Sequence, residues 1–474
     1  MVGGGAGGRQ VLNATSVGFS RRLSVQMNTI MTELQEKTKG LAGRFHAREA
    51  ELAGIGWPEM HMWRKASLAR FQRAGIPTAK DEEWKYLSLR TLSEQSFVDG
   101  YPSCVSLSEL VAAGMAPCEG PTLGFVNAAA SPELTRTEGL PAGVRLLTLR
   151  GALVECPELV RPHLGRIVSL DGKLGSTNDE RFVNLNNAFL AEGAFLHVPR
   201  GVVVESPIHI LFANRADKGP MAVYPRVLVV AEEGSQVKIL ETHIGNEGQT
   251  VSIGVSEVWV GRNAIVEHTR YQDESADSIH IAVLAAHQEA DSTYTSNNVQ
   301  FGAKIGRVDA NIWLNGEHTE TWLNGAYVAM GEQVLDNHTR IDHAKPNCHS
   351  FEVYKGILGD QGAGVFNGKI FVYKDAQKTD AKQTNQALLL SPTATINTKP
   401  QLEIFADDVK CTHGATVGQL REDAMFYLRS RGVPHDQARG ILVYAFVAEV
   451  LEKISIDSVR EGLEALLFRK LGLS

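Results

Sequence analysis

Hydrophobic residues change their spacing twice along this chain, and the changes divide it into three parts. From residue 31 to about residue 95, apolar side chains such as Leu41, Phe45 and Leu52 recur every three or four positions among charged ones. That period is typical of amphipathic helices. We therefore predict an N-terminal helical domain over residues 31–95.

Short β-prone runs replace the helical period over residues 184–418, for example GVVVE, RVLVVAEE and VSEVWV. Turn signals recur at Gly234, Asn263, Ala290 and Gly316, so that successive signals lie 29, 27 and 26 residues apart. A steady step of this size, holding short strands and no helix, is typical of the stacked coils of a β-solenoid. We predict a parallel β-helix core; a sandwich or barrel is the alternative, although it gives no reason for the steady step.

Two less regular regions flank this core. Residues 96–183 are broken by prolines into short mixed pieces and are interpreted as a connecting region. Residues 419–474 return to a helical period, with breaks at Gly432 and Pro434. The run Ile441–Val450 is apolar nearly all round, which requires burial on several sides, some of it against a partner.

Charge, cysteine spacing and hydrophobicity argue against three classes of function. A net charge of −7 argues against a surface for nucleic acid, because phosphate contacts need concentrated Lys and Arg. The five cysteines lie far apart with no C-x-x-C, so neither a zinc ribbon nor a self-contained four-thiolate cluster site is expected. The longest strongly apolar run, Ile441–Leu451, is eleven residues and includes Glu449, so no membrane span is expected.

Residues 1–30 differ from the rest of the chain. They contain Arg9, Arg21 and Arg22 but no acidic residue, a composition that suits an organellar transit segment. A disordered extension, or a start codon assigned too early, explains the same composition. We expect this disordered or targeting-like extension to lie outside the fold.

The sequence contains none of the common enzyme motifs in complete form and in the structural context that each requires. The run GDQGAGVFNGK resembles a phosphate-binding loop, but its Lys369 is followed by Ile370 instead of Ser or Thr, and its glycine spacing is wrong. No hydrolase, zinc-protease or dinucleotide motif occurs in a strand-to-helix context. We predict that the chain is not an enzyme.

Histidines gather in one stretch of the predicted core, with Cys348 beside them: His318, His338, His343 and His349. A cupin-like metal site would use several histidines from neighbouring strands. We interpret the group as solvated or hydrogen-bonded histidines. The alternative functions left open are a cupin-like metalloenzyme and a carbohydrate-active β-helix enzyme.

The run DVKCTHGATVG places a thiol and an imidazole two positions apart, at Cys411 and His413. In an extended strand alternate side chains share a face, so both would point to one side and Thr412 to the other. An isolated pair of this kind is more typical of a core cysteine beside a hydrogen-bonded histidine than of a metal site. Its meaning depends on the rest of the chain.

A resemblance supplies that context. From Lys355 to Ile454 the chain resembles the SufB/SufD family of the Suf iron–sulfur cluster assembly machinery, and within it SufD-type subunits. The most specific segments are VFNGKI, KTDAKQTNQALLL, TKPQLEIFADDVKCTHGATVG and FYLRSRG, and IPTAKDEEWKYLSL is similar to the family's N-terminal segment. The SufD type is favoured by PQLEIFADDVKCTHGATVG, where SufB-like chains carry a different sequence.

The resemblance implies a right-handed parallel β-helix between two helical domains. It implies a non-catalytic scaffold that pairs with SufB and binds the ATPase SufC through the C-terminal helices; a homodimer is the alternative for the isolated chain. It implies a transient iron–sulfur cluster shared with SufB, with none stably bound to the isolated chain. His413 is then the first-choice ligand and Cys411 a weaker companion, with SufB supplying the rest. The implied location is the bacterial cytoplasm, or a plastid if residues 1–30 are a transit peptide.

Overall fold

The computed structural model describes residues 40–54, 56–168 and 179–472, and only the backbone of Asn246. The predicted extension over residues 1–30 lies outside the described residues. The elements before the core are α1 (40–48), α2 (Pro58–Ala74), α3 (Arg90–Glu94), β1 (Val98–Asp99), α4 (Leu107–Ala113), β2 (Thr122–Val126), β3 (Ala129–Ala130), β4 (Arg145–Thr148), α5 (Leu149–Glu155), α6 (Pro157–Val160) and α7 (Arg181–Phe189).

The core consists of strands that alternate between two sheets. In chain order they are β5 (Ala194–Val198), β6 (Ile208–Arg215), β7 (Met221–Val223), β8 (Arg226–Ala231), β9 (Gln236–Glu247), β10 (Thr250–Val260), β11 (Ile265–Asp273), β12 (Ile279–Gln288), β13 (Thr293–Gln300), β14 (Ile305–Leu314), β15 (Glu320–Ala329), β16 (Val334–His343), β17 (His349–Leu358), β18 (Ala363–Val372), β19 (Asp380–Leu389), β20 (Thr395–Ile404) and β21 (Lys410–Gln419).

Pairing between these strands defines a solenoid. Sheet I runs β5-β8-β10-β12-β14-β16-β18-β20, and sheet II runs β6-β9-β11-β13-β15-β17-β19-β21, with every pair in these runs parallel. Each coil therefore contributes one strand to each sheet, except that β7 and β8 both pair with β10 and share the sheet I position of one coil. The described core has eight coils. The predicted parallel β-helix is confirmed, and parallel pairing excludes a sandwich of antiparallel sheets.

A repeated turn from sheet I to sheet II sets the step that the sequence shows. Every such turn except the last, between β20 and β21, contains one residue with positive φ, a conformation that Gly, Asn and Asp tolerate best. The predicted turn residues Gly234 and Asn263 occupy this position, whereas the next two turns place Asp291 and His318 there, just after Ala290 and Gly316. The complete series is Gly201, Gly234, Asn263, Asp291, His318, Asn347 and Lys378.

The first core strand, β5, begins at Ala194, whereas residue 184 belongs to α7. Two strands from the region before it extend the sheets: β2 pairs in parallel with β6, and β4 pairs antiparallel with β5. The interior is filled by inward apolar side chains of successive coils, among them Leu196, Ile239, Ile312 and Phe366, all buried. The first coil is thus covered by part of the connecting region.

Helices cover both outer faces of the solenoid. Side chains of α2 and α7 pack on sheet I, where Phe71 and Phe182 share a buried cluster with Ile281 of β12. The C-terminal helices α8 (Glu422–Ser430), α9 (His435–Leu451) and α10 (Asp457–Lys470) follow β21, and α9 and α10 bury sheet II residues such as Tyr271 and Ile357. No helix in the described ranges is long and apolar enough to cross a membrane.

One segment of the N-terminal part, residues 78–89, crosses the outside of sheet I, and we call it the strap. Trp84 is its anchor: the side chain is 1% exposed, and the Arg307 guanidinium lies 3.8 Å from the centre of its ring. The flanking acids extend the contact toward the last coil, with Glu83 Oε2 3.2 Å from His338 Nδ1 and Glu82 Oε1 2.9 Å from Lys399 Nζ. The strap therefore touches β14, β16 and β20.

Stability at the strap should depend on pH through His338. Burial and Arg307 disfavour its charged form, but Asp336 and Glu83 outweigh them and raise the pKa of His338 above its usual value near 6.5. The stabilisation is complete below that value and is lost as pH rises through the raised pKa of the folded protein. We expect His338→Gln to cost about 1–3 kcal/mol of unfolding free energy at pH 6 and less at pH 8.

Urea unfolding of both proteins at the two pH values measures this difference. His435→Gln, at an exposed position at the start of α9, is the matched control and should change stability little at either pH. An equal cost of His338→Gln at pH 6 and pH 8 would contradict the prediction.

Candidate functional site

The last coil is the open end of the solenoid. Strand β21 pairs with β19, and β20 pairs with β18; within the described residues neither has a strand on its other side. Each presents ten residues of edge, and most side chains of β21 are exposed. Unpaired N–H and C=O groups along such edges are a template for another chain.

Cys411 lies on β21 beside Ala381 of β19. Its half-buried side chain packs against a small apolar cluster that includes Ile370 and Ala406. Burial raises the pKa of the Cys411 thiol above its usual value, although the Ala381 backbone partly offsets the effect. Because the thiolate is the form that binds metal, this cysteine is a weak ligand at neutral pH until a metal displaces its proton.

His413 lies on the same strand beside Gln383 of β19. Strand geometry puts it on the face of Cys411, with roughly 6.6–6.8 Å between their Cα atoms. Its imidazole is exposed, in contrast to the half-buried thiol of Cys411, and no hydrogen bond joins it to another described residue. The exposed imidazole is therefore accessible to an external partner, whereas Thr412 projects to the opposite face.

The pair alone cannot enclose a metal cluster. The described residues contain no group of three or more His, Cys, Asp or Glu side chains that could hold a metal ion. Iron–sulfur clusters are commonly held by four protein ligands, so Cys411 and His413 suit a cluster only as part of a shared site. The remaining ligands have to come from a chain placed against the open coil.

The histidine group does not converge on one site. His318 lies on an exposed turn and His349 is exposed at the start of β17, while His338 belongs to the strap contacts. His343 is buried and hydrogen-bonded to Ser350 Oγ at 2.9 Å, and burial lowers its pKa to about 3. Cys348 is also buried and donates to the Gly316 carbonyl oxygen at 3.2 Å. These contacts agree with hydrogen-bonded and solvated histidines, and nothing in them supports a cupin-like centre.

Sequence reasoning missed a buried polar network inside the solenoid. Glu241, 1% exposed, accepts hydrogen bonds from His243 at 2.7 Å, His268 at 3.0 Å and Arg270 at 3.0 Å. Burial disfavours its charge, but Arg270 and the two histidines hold the pKa of Glu241 well below its usual range. Polar residues alternate along β9 and β11 in the sequence, and this alternation is the signal that could have indicated the network. Only the register between the two strands shows that these side chains contact one another.

Helix α8, which follows β21, presents a further exposed surface. None of its residues is buried, and the side chains of Phe426 and Tyr427 are 74% and 58% exposed. Phe426 lines a shallow groove of about 560 Å³ with Leu420, Met425 and Arg429. Exposed aromatic and Arg side chains of this kind are enriched at protein interfaces.

Comparisons with known proteins cover nearly the whole chain. Two family models match: the "SUF system FeS cluster assembly, SufBD core domain" over residues 212–446, and the "SufBD protein N-terminal region" over residues 35–210. An iron-sulfur cluster assembly SufBD family protein of Synechocystis sp. is 35% identical over 394 residues, or 81% of this chain and 85% of that protein.

Two further relatives are a bacterial and a plant protein. The iron-sulfur cluster assembly protein SufD of Escherichia coli is 30% identical over 412 residues, covering 85% of this chain and 91% of that protein. The chloroplastic protein ABCI7 of Arabidopsis thaliana is 37% identical over 288 residues, covering 59% of this chain and 61% of its own length. The similarity to the first of these covers most of both chains.

Proposed function

Because the chain belongs to the SufBD family of the SUF system for iron–sulfur cluster assembly, we propose that it is a non-catalytic, SufD-type scaffold subunit. In this role it pairs with SufB and binds the ATPase SufC. The nascent cluster is cargo, held for a time between the two scaffold chains and then passed on. Nucleotide hydrolysis belongs to SufC, which agrees with the failed phosphate-loop match around Lys369.

One observation carries the proposal: the Cys411 and His413 pair lies on the exposed last strand of an open solenoid, with an incomplete ligand set. A strand of SufB placed along β20 or β21 would satisfy the unpaired edge and bring further ligands to the same place. His413 is the proposed principal ligand, since its imidazole is exposed on the last strand. Cys411 is the proposed auxiliary ligand, since burial keeps its thiol protonated.

The proposed contact with SufC lies on α8, where the exposed Phe426 and the groove beside it give an apolar surface of the kind that anchors partners. The long apolar run of α9 serves a different purpose, because Val443, Val447 and Val450 are buried against the body of the protein. SufC is therefore proposed to touch α8 and the adjoining Ile441, which is 48% exposed.

The proposed location is the bacterial cytoplasm, with a plastid as the alternative. The chloroplastic name of one relative and the acid-free residues 1–30 favour the alternative. Incubation of the full-length chain with isolated chloroplasts distinguishes the two. Import with cleavage of the N-terminal segment supports a plastid, and a chain that is neither imported nor cleaved supports the cytoplasm.

Co-expression tests the proposed function directly. The chain is produced alone, with SufB, and with SufB and SufC from the same genome, under anaerobic conditions, and the purified species are compared by native mass spectrometry and by iron and acid-labile sulfide content. We expect iron and sulfide near background in the chain alone and the highest content in the three-protein complex. Stoichiometric iron in the chain alone would instead support a self-sufficient metal site and contradict a shared one.

A further inference from the structure

Two buried residues stack directly beneath His413 in the wall of the solenoid. Gln383 of β19 is in register with His413, and Glu352 of β17 is in register with Gln383. Both side chains are 1% exposed. Because parallel coils keep equivalent positions on the same face, all three residues project toward the interior at one place along the strands.

The Gln383 amide is fixed at one end and unsatisfied at the other. Its Nε2 donates to Glu352 Oε2 at 2.7 Å, on the side of the preceding coil. Its Oε1 is buried and has no hydrogen-bond partner. A buried acceptor without a donor is destabilising, so a native amide in this state calls for an explanation. In the following coil, the residue in register with Gln383 is His413, whose imidazole can supply an N–H donor.

The opposite wall of the solenoid leaves room for this amide. A Cβ atom at Gly368 of β18 would lie 2.2 Å from Gln383 Nε2, so any side chain at that position would displace the amide. Gly368 is the glycine of the VFNGKI segment. The absence of a side chain at Gly368 therefore leaves the space that the Gln383 amide occupies.

We propose that Gln383 is a positioning residue for His413: its amide oxygen accepts a hydrogen bond from one ring N–H of His413, and Glu352 holds the amide in that orientation. The bond fixes the tautomer of the imidazole and leaves the lone pair of the other nitrogen directed out of the open end. Metal-binding histidines commonly donate their second ring N–H to an oxygen acceptor in this way. The inference deepens the proposed function and rests on it for the use of that lone pair.

The protonation of Glu352 does not decide this arrangement. Burial raises the pKa of Glu352 to about 7, so both protonation states are populated at neutral pH. Each state retains an oxygen that can accept from Gln383 Nε2. We therefore expect Glu352→Gln, which keeps an oxygen acceptor at the same place, to preserve the bond to His413.

The test compares Gln383→Met with a matched control, Asn385→Leu. Asn385 is two residues along on the same inward face, 1% exposed, and also bonded through its amide, with Nδ2 donating to Thr398 Oγ1 at 2.9 Å. Its partner in register on β21 is Ala415, which has no donor side chain. Both substitutions replace a buried amide with an apolar group of similar size, so a general loss of stability affects both variants.

The first measurement is the tautomer of His413 in the isolated full-length chain, read from the ¹⁵N shifts of its ring at fixed pH and assigned with His413→Ala. We expect one tautomer of His413 to dominate in the wild-type protein, in Asn385→Leu and in Glu352→Gln. In Gln383→Met we expect the ratio of the major to the minor tautomer to fall about tenfold. An unchanged tautomer in Gln383→Met would overturn the proposal, whatever happens to the cluster.

The second measurement is iron and acid-labile sulfide per complex, after co-expression of each variant with SufB and SufC. We expect a loss of about tenfold or more in iron affinity for Gln383→Met and little change for the control. A changed tautomer with wild-type iron loading would show that the bond exists but does not serve iron binding, which overturns the positioning role. The proposed function fails on a different result, namely a His413→Ala complex with normal clusters.

Discussion

Replacement of His413 by alanine should remove most of the iron and acid-labile sulfide bound per complex while leaving the complex assembled. The side chain is exposed at the open end of the solenoid, so its removal costs little buried apolar area. It removes, however, the one imidazole on β21 that is available to a metal. Because even outer partners of a ligand are typically worth about 10–100-fold in metal affinity, loss of the ligand itself should lower cluster content by more than about tenfold.

Substitutions at two neighbouring positions on the same strand are the comparison for this result. Thr412→Ala changes an exposed residue on the opposite face of β21 and should leave cluster content unchanged. Cys411→Ser keeps a similar volume and should give a smaller loss than His413→Ala, since the buried thiol is a poor thiolate donor. Iron and sulfide analysis, size-exclusion chromatography and the ATPase rate are measured on each complex. Wild-type cluster maturation in an intact His413→Ala complex would mean that this strand serves interface packing only.

Replacement of Phe426 by glutamate should weaken the capture of SufC by at least about tenfold, because exposed aromatic anchors often carry about 2 kcal/mol or more of binding energy. Phe426 is 74% exposed on a helix with no buried residue, so the fold of the free chain should tolerate the change. Removal of all three C-terminal helices would be a poorer test, since α9 and α10 cover apolar residues of sheet II such as Ile357.

The control for this experiment is Val154→Glu. Val154 is 79% exposed on α5, distant in sequence from α8, and the same apolar-to-acidic change there should leave SufC binding unaltered. Titration of each variant with SufC by calorimetry gives the two affinities. Equal affinities for the Phe426→Glu and Val154→Glu proteins would exclude α8 as the principal contact.

The sequence predicted the solenoid because its turns demand particular residues. Positive φ at Gly234 and Asn263 favours Gly, Asn or Asp, and such preferences leave a visible period. The period of the turn signals is harder to recognise in the sequence where His318 has the same positive φ, because histidine is not a usual turn residue. The boundary near residue 184 was harder to place, because an amphipathic helix and a buried strand both present a short apolar run there.

The candidate site was predictable in part. The spacing of Cys411 and His413 predicts a common face for any extended strand, and the family resemblance gave that face a use. The stacking of Glu352 and Gln383 beneath His413 could not be predicted, because it depends on a register between residues about thirty positions apart. The strap shows the same limit: Glu82 meets Lys399 across more than three hundred residues, and no local pattern encodes such a contact.

The open last coil also has a consequence for how the protein is produced in the cell. Strands β20 and β21 leave two edges of ten residues each without a partner in the described chain, and such edges capture extended segments of any protein nearby. A copy synthesised in excess of its partner would therefore be exposed to aggregation and to degradation by quality-control proteases. Balanced synthesis of the scaffold subunits, with prompt assembly after translation, follows as a requirement of this architecture.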